Sequence, residues 1–218
     1  MNEQEEHIIE RAISFAQDRM SRLNSSHGWD HVERVIRLAE KIARTEKEAD
    51  LFILKTAAIL HDIARVNEAE NNGKLCHAEL GSRAAYDFLI ENGLDEERAG
   101  RVCRCILTHR YRNDHAPASI EERILYDADK LDSIGAVGIG RAFLFSGEVG
   151  ASLHNPEIDV SLTHAYGKED TAFREYMIKL RYVSDKMLTG EGKRLAEERH
   201  GFMVQFFERL EDEVRGAL

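Results

Sequence analysis

Apolar residues recur every three to four positions along most of the chain, the spacing that gives a helix one buried face. Residues 3 to 23 put Ile8, Ile9, Ala12, Ile13, Phe15, Ala16, Met20 and Leu23 on one stripe with charges opposite, which predicts a first helix. Asn24-Ser25-Ser26-His27-Gly28 supplies turn and capping residues. Val32, Val35, Ile36, Ala39, Ile42 and Ala43 then resume the period as a second helix, with His31 in its first turn. Leu51 to Ala64 is apolar on most of its surface and predicts a third, buried helix that ends on His61 and Asp62. Asn67 to Lys74 is polar and aperiodic, a surface loop. A fourth helix opens at His77 and runs through Ala84, Ala85, Phe88 and Leu89 to a stop at Asn92-Gly93. A fifth starts at Asp95, turns Val102, Ile106 and Leu107 inward, and has His109 at its end. Beyond Pro117, Ser119 and Glu122 are spaced as a capping box for a sixth helix carrying Ile124, Leu125, Ala128 and Leu131.

The glycine-rich stretch GAVGIGRAFLFSGEVG, residues 135 to 150, lacks the residue order of a phosphate-binding P-loop and follows no strand pattern. Close packing of a helix against a neighbour is the simpler reading. Residues 151 to 167 are irregular and have the length of a lid over a site. Two long helices finish the chain. The first runs through Phe173, Tyr176, Met177, Leu180, Val183 and Leu188. The second runs through Leu195, Phe202, Met203, Phe206, Phe207, Leu210 and Val214, after a break at Gly190/Gly192. With no strand pattern and no internal repeat, the fold is expected to be all-α, one domain over 218 residues.

Composition narrows the function more than the fold. Only two prolines suit long helices. A formal net charge of −10 argues against holding long nucleic acid through its phosphates, while leaving room for a small anionic substrate beside a local cation. No run approaches the roughly 20 apolar residues that span a bilayer, and the acidic start MNEQEEHIIER is unlike a signal peptide, so no membrane partner and a cytoplasmic location are expected. Cys76, Cys103 and Cys105 are odd in number and contain no C-x-x-C pair, so they are expected to stay reduced.

The chemistry starts from His61 and Asp62. A carboxylate at the end of a buried helix costs several kcal/mol unless it is paired or neutralised, and a metal ion is the usual partner. His31 opens another helix, and Asp129 lies near the end of the sixth, in YDADKLDSIG. Helix ends converge in the cores of bundles, and two imidazoles with two carboxylates suit Mn, Fe, Co, Ni or Zn better than Mg. Of the ten histidines, His7, His115 and His200 read as surface residues, and His154 and His164 fall in the irregular stretch. His27, four residues before His31, has two equal readings, pocket mouth or solvent.

The ordered set His31, His61-Asp62, Asp129 resembles the H…HD…D signature of the HD-domain superfamily of metal-dependent phosphohydrolases. The contexts WDHVERV, AAILHDIAR and DADKLDSIGAVGIGR carry the resemblance over about residues 25 to 145. KMLTGEGKRLAEERHGFM is similar to the tail of a subgroup of small, stand-alone bacterial and archaeal HD hydrolases. The resemblance implies an HD-type helical bundle with a C-terminal helical extension over about 168 to 216. It also implies one divalent transition metal per chain, held by His31, His61, Asp62 and Asp129. His77, in CHAELGS, and His109, in ILTHR, occupy slots with two implied roles: ligands of a second metal bridged by Asp62, or contacts to substrate phosphate.

Such a metal acidifies water for attack on phosphorus, and nearby cations stabilise the charge that develops. Lys130, Arg65, Arg110 and Arg34 are the candidates by position, each with a surface ion pair as its alternative. Asp132 has three readings: orienting a ligand, moving a proton, or pairing with Lys130. The expected function is therefore hydrolysis of a nucleotide or other small phosphate compound, with a homo-oligomer also compatible. Two alternatives stay open: an HD-type di-iron oxygenase using all six ligands, and a regulatory module that binds a nucleotide without turnover.

Overall fold

A computed structural model describes residues 1–21, 28–71, 76–110, 115–155, 159–165 and 167–218, so His27 and much of the turn before it lie outside the described residues. The described residues are helical and contain no strand, as the periodicity implies. Among them, no helix is long and apolar enough to cross a membrane. The chain divides into two compact units, Met1–Asp129 and Lys130–Leu218.

In the first unit, α1 (Glu3–Met20) starts with a complete capping box between Asn2 and Glu5 and buries Ile8, Ile9, Ala12, Ala16 and Met20. α2 (Trp29–Ala43) places His31 in its first turn. α3 (Leu51–Leu60) is capped by Asp50, whose side chain accepts from the backbone of Phe52 and Ile53, and is buried along most of its length. It is the hub of this unit, packing against α1, α2 and α6. The third helix is shorter than the periodicity predicts. It stops at Leu60, His61 to Ala64 form a turn, and α4 (Arg65–Glu70) occupies part of the predicted loop. Both segments are apolar, so hydrophobic period alone does not separate helix from turn. The separation comes from local hydrogen bonds, Ile63 N to Leu60 O at 3.4 Å and Arg65 N to Asp62 O at 2.9 Å, which tighten the chain.

α5 (His77–Glu91) ends at Asn92, and Gly93 takes the left-handed conformation, φ +80°, that closes a helix C-terminus. α6 (Glu96–Thr108) is capped by Asp95. It is tied to α5 by the Ser82 hydroxyl donating to Cys103 O at 2.9 Å. α7 (Ile120–Asp132) carries Asp129 and leads into the second unit. Only half of its predicted capping box forms. Ser119 Oγ accepts from Glu122 N, but Glu122 Oε2 accepts from Ala118 N, while its other oxygen pairs with Arg104.

In the second unit, the glycine-rich stretch is a helix, α8 (Gly135–Glu148), packed against α9 (Ala172–Ile178) and α10 (Gly190–Val214). Phe173, Tyr176, Phe206 and Phe207 form its aromatic centre, with Tyr176 stacked on Phe207 at 4.3 Å between ring centroids. The predicted long helix from Phe173 to Leu188 breaks at Lys179 into α9 and two 3₁₀ turns, Leu180–Tyr182 and Ser184–Lys186. The three-residue spacing of Leu180 and Val183 also fits one face of a 3₁₀ turn, so both stay buried. Gly190 and Gly192 do not separate two helices but form the first turn of α10, with Thr189 Oγ1 accepting from Gly192 N at 3.0 Å.

All three cysteines are free thiols, with Cys76 half-buried and Cys103 and Cys105 buried. Burial pushes the Cys103 thiol up to about 12, and burial with the charges of Glu122 and Glu121 pushes Cys105 well above its usual range. At pH 8 only Cys76 is expected to react with a thiol-disulfide reagent in the folded protein. All three should react in denaturant, and prompt reaction of a second thiol without denaturant would contradict this packing.

Candidate metal and phosphate site

The side chains singled out in the sequence as ligands meet within the first unit, each delivered by a helix end. His31 comes from the first turn of α2, and His61 and Asp62 from the turn after α3. His77 opens α5, His109 follows α6, and Asp129 lies in the last turn of α7. They form two groups, His31 with His61 and Asp129, and Asp62 with His77 and His109, with the donor atoms of each group within 4.8 Å of one another.

Asp62 touches both groups. Its Oδ2 lies 3.7 Å from His31 Nε2 and from His61 Nε2. Its Oδ1 lies 2.9 Å from His77 Nε2 and 3.9 Å from His109 Nε2. His31 Nε2 lies 3.2 Å from His61 Nε2 and 3.5 Å from Asp129 Oδ1. Donor atoms about 2.1 Å from one ion stand roughly 3.0 Å apart at right angles and about 3.4 Å at the tetrahedral angle. The His31–His61 and His31–Asp129 spacings match these values and Asp62 Oδ2 lies somewhat beyond them, 3.7 Å from both imidazoles, so these residues could hold a metal ion.

The backbone sets which ring nitrogen faces the cluster. His61 Nδ1 donates to Ala58 O at 2.8 Å, and His109 Nδ1 donates to Ile106 O at 2.6 Å, so both Nε2 atoms present lone pairs. Burial holds both imidazoles below their usual pKa. At His61 the charges of Asp62 and Asp129 act in the opposite sense, and at His109 the neighbouring His77 and His61 add to the lowering. Burial thus favours the neutral form of both, the form that binds metals. Burial pushes the Asp62 carboxyl up, but the charges of His61, His77 and Arg65, with the hydrogen bond from His77, outweigh it and hold the group well below the usual carboxylate range.

His77 is oriented differently. Its Nδ1 lies 3.0 Å from Arg65 Nη1 and 3.2 Å from Arg110 Nη1. Arg65 Nη1 lies nearer to Nδ1 than to Nε2, 3.0 Å against 3.4 Å, and guanidiniums only donate, so the tautomer with the proton on Nε2, facing Asp62 Oδ1 at 2.9 Å, fits these contacts best. Two guanidiniums thereby converge beside the buried Asp62. Arg34 is ion-paired to Asp30 at 2.6 Å. Lys130 is half-buried next to Asp129, and Asp132, 1% exposed, has Oδ2 2.9 Å from Arg141 Nη1. Of the histidines in the irregular stretch, His164 is exposed. The His154 side chain is 2% exposed, packed on Phe173 and 3.5 Å from Glu211. Sequence reasoning passed over Asp127, which is fully buried. A carboxylate inside the apolar run ILYDADKL was the available signal.

An all-helical bundle that gathers His, His-Asp and Asp from its helix ends defines a class, and an HD-domain profile matches residues 28–134: the chain belongs to the HD-domain superfamily. It is 38% identical over 211 residues to the uncharacterized protein YpgQ of Bacillus subtilis, covering 95% of this chain and 94% of that one. The crystal structure of YpgQ in complex with ADP matches with a TM-score of 0.74 and 34% identity over 96% of each chain. That of an HD-superfamily hydrolase from Bacillus thuringiensis matches with a TM-score of 0.75 and 29% identity, over 97% of this chain and 98% of that one. The fold is that of HD-superfamily hydrolases.

Proposed function

We propose that the chain is a metal-dependent phosphohydrolase that cleaves a nucleotide or another small phosphate compound. The observation that carries this reading is the meeting of Arg65 and Arg110 at His77, beside the donors His31, His61, Asp62 and Asp129. When bound to those four donors, a divalent cation supplies an acidified water as nucleophile and neutralises charge on a phosphoryl oxygen. Arg65 and Arg110 bind the phosphate through paired N–H donors and stabilise charge spreading over its oxygens. His77 donates its Nε2 proton to Asp62 and so holds that carboxylate beside the two guanidiniums. Lys130 adds a positive charge next to Asp129. Binding of ADP by the relative YpgQ supports a nucleotide as substrate.

The orientation of His77 favours one cation over two. Ligation through Nε2 would require the proton on Nδ1, where it would face two guanidinium donors. The same reasoning disfavours a di-iron oxygenase, which needs both His77 and His109 as ligands. Protein loaded with Mn²⁺ or Co²⁺ is expected to bind one ion per chain and to release phosphate or pyrophosphate from a panel of nucleotides and sugar phosphates. His61→Ala should remove that release. Two irons per chain after anaerobic purification, or release that survives the substitution, would sink the proposal. Nucleotide binding by wild-type protein without release would point to a regulatory module instead.

A further inference from the structure

Two motifs of the sequence have no part in this chemistry, the glycines after α7 and the tail segment containing Arg199. Both act on the C-terminal end of α7. The last carbonyls of a helix lack intrahelical partners, and here each carbonyl from Lys130 to Asp132 has one. Lys130 O accepts from Ser133 N at 3.0 Å and from Ser133 Oγ at 2.7 Å. Leu131 O accepts from Ile134 N at 3.3 Å and from Arg199 Nη1 of α10. Asp132 O accepts at 3.3 Å from Arg141 Nη1 of α8, the same nitrogen that holds the Asp132 carboxylate. Two positive charges thus meet the negative end of the helix dipole.

The glycines make the approach possible. Gly135 has φ +75°, and a Cβ there would lie 2.9 Å from Arg199 Cγ. A Cβ at Gly138 would lie 2.2 Å from Ser133 O. Larger residues would displace the Arg199 stem or the turn that leaves α7. Asp129 sits in the last turn of α7, where an uncapped helix frays.

We infer that Arg199, with Arg141, is a positioning residue for Asp129: the two guanidiniums, with Gly135 leaving room for the Arg199 stem and Gly138 for the turn at Ser133, fix the end of α7 and with it the place of the Asp129 carboxylate among the donors. This rests on the reading of His31, His61, Asp62 and Asp129 as metal ligands. Groups that orient a ligand from behind are worth about 10- to 100-fold in metal affinity.

The test is a double-mutant cycle on the full chain, read by Co²⁺ affinity and by the visible absorption of bound Co²⁺. Arg199→Gln should weaken Co²⁺ binding about 10- to 100-fold and change the absorption band, with partial recovery in Arg199→Lys. In an Asp129→Asn background, Arg199→Gln should add no more than about twofold, because the group it positions is already lost. Gly135→Ala keeps the charge but crowds the Arg199 stem. It should weaken binding in the same way, and it serves as the test if Arg199→Gln fails to fold. Unchanged affinity, or losses that multiply in the double variant, would overturn the inference. If Asp129→Asn alone leaves Co²⁺ affinity unchanged, the ligand assignment fails, and this inference falls with it.

Discussion

Asparagine in place of Asp62 is expected to remove metal binding and to lower kcat/KM by at least about 10³, as the loss of a central catalytic group does elsewhere. The side chain keeps its shape, so the effect isolates the charge. Asp62 is the residue that contacts both donor groups, with one oxygen 3.7 Å from His31 and His61 and the other 2.9 Å from His77. Losing any other donor leaves this carboxylate in place. Losing Asp62 leaves the imidazoles and the guanidiniums of Arg65 and Arg110 around a neutral amide. The same variant has a readout that is independent of turnover. A ligand that binds only the folded state stabilises it by about 2.7 kcal/mol at one hundred times its Kd. Wild-type protein should therefore melt at a higher temperature with added Mn²⁺, whereas Asp62→Asn should not respond. A full Mn²⁺-induced shift in Asp62→Asn would refute a role for Asp62 as ligand.

The meeting of these residues was legible because each donor stands at a break in hydrophobic periodicity. His61 and Asp62 interrupt an apolar helix, His77 and His109 mark helix boundaries, and His31 lies just inside one. Arg65 and Arg110 were legible as basic residues close behind those donors, although their meeting at His77 Nδ1 was not. Sequence gives the neighbour along the chain, whereas that contact joins residues 12 and 33 positions apart. Arg199 was less accessible still, since its acceptor is a backbone carbonyl 68 residues away and carbonyls leave no mark in a sequence. The misplaced elements share one cause. The turn at His61–Ala64 and the 3₁₀ turns after Lys179 carry buried apolar residues at spacings that an α-helix also satisfies. Hydrophobic period reports which residues are inside, and local hydrogen bonds decide which kind of turn puts them there.

Arg174→Ala is expected to cost about 3–5 kcal/mol of stability, the range for removing one partner of a buried ion pair. Arg174 is 8% exposed and Asp170 4%. The guanidinium donates to Asp170 Oδ1 at 2.8 Å, to Thr163 Oγ1 at 2.6 Å and to Thr163 O at 3.3 Å. The Ser146 hydroxyl adds a bond to Asp170 O at 3.0 Å. These bonds pin part of the irregular stretch that has the length of a lid, tying Thr163 and Asp170 to α9 and α8. Alanine would leave a carboxylate buried without its guanidinium partner and a hydroxyl without its acceptor role, which is why the cost exceeds that of a surface pair. Arg194, more than half exposed and paired with Glu191, is the internal control, and its alanine variant should cost far less than Arg174→Ala, as exposed ion pairs do. The double variant Arg174→Met with Asp170→Leu removes both charges and should recover most of the loss, because an apolar pair carries no desolvation debt. Urea unfolding measures all three, and hydrogen exchange of the amides from Thr163 to Thr171 should quicken in Arg174→Ala. A loss below about 1 kcal/mol with unchanged exchange would mean that the stretch is held by its packing alone.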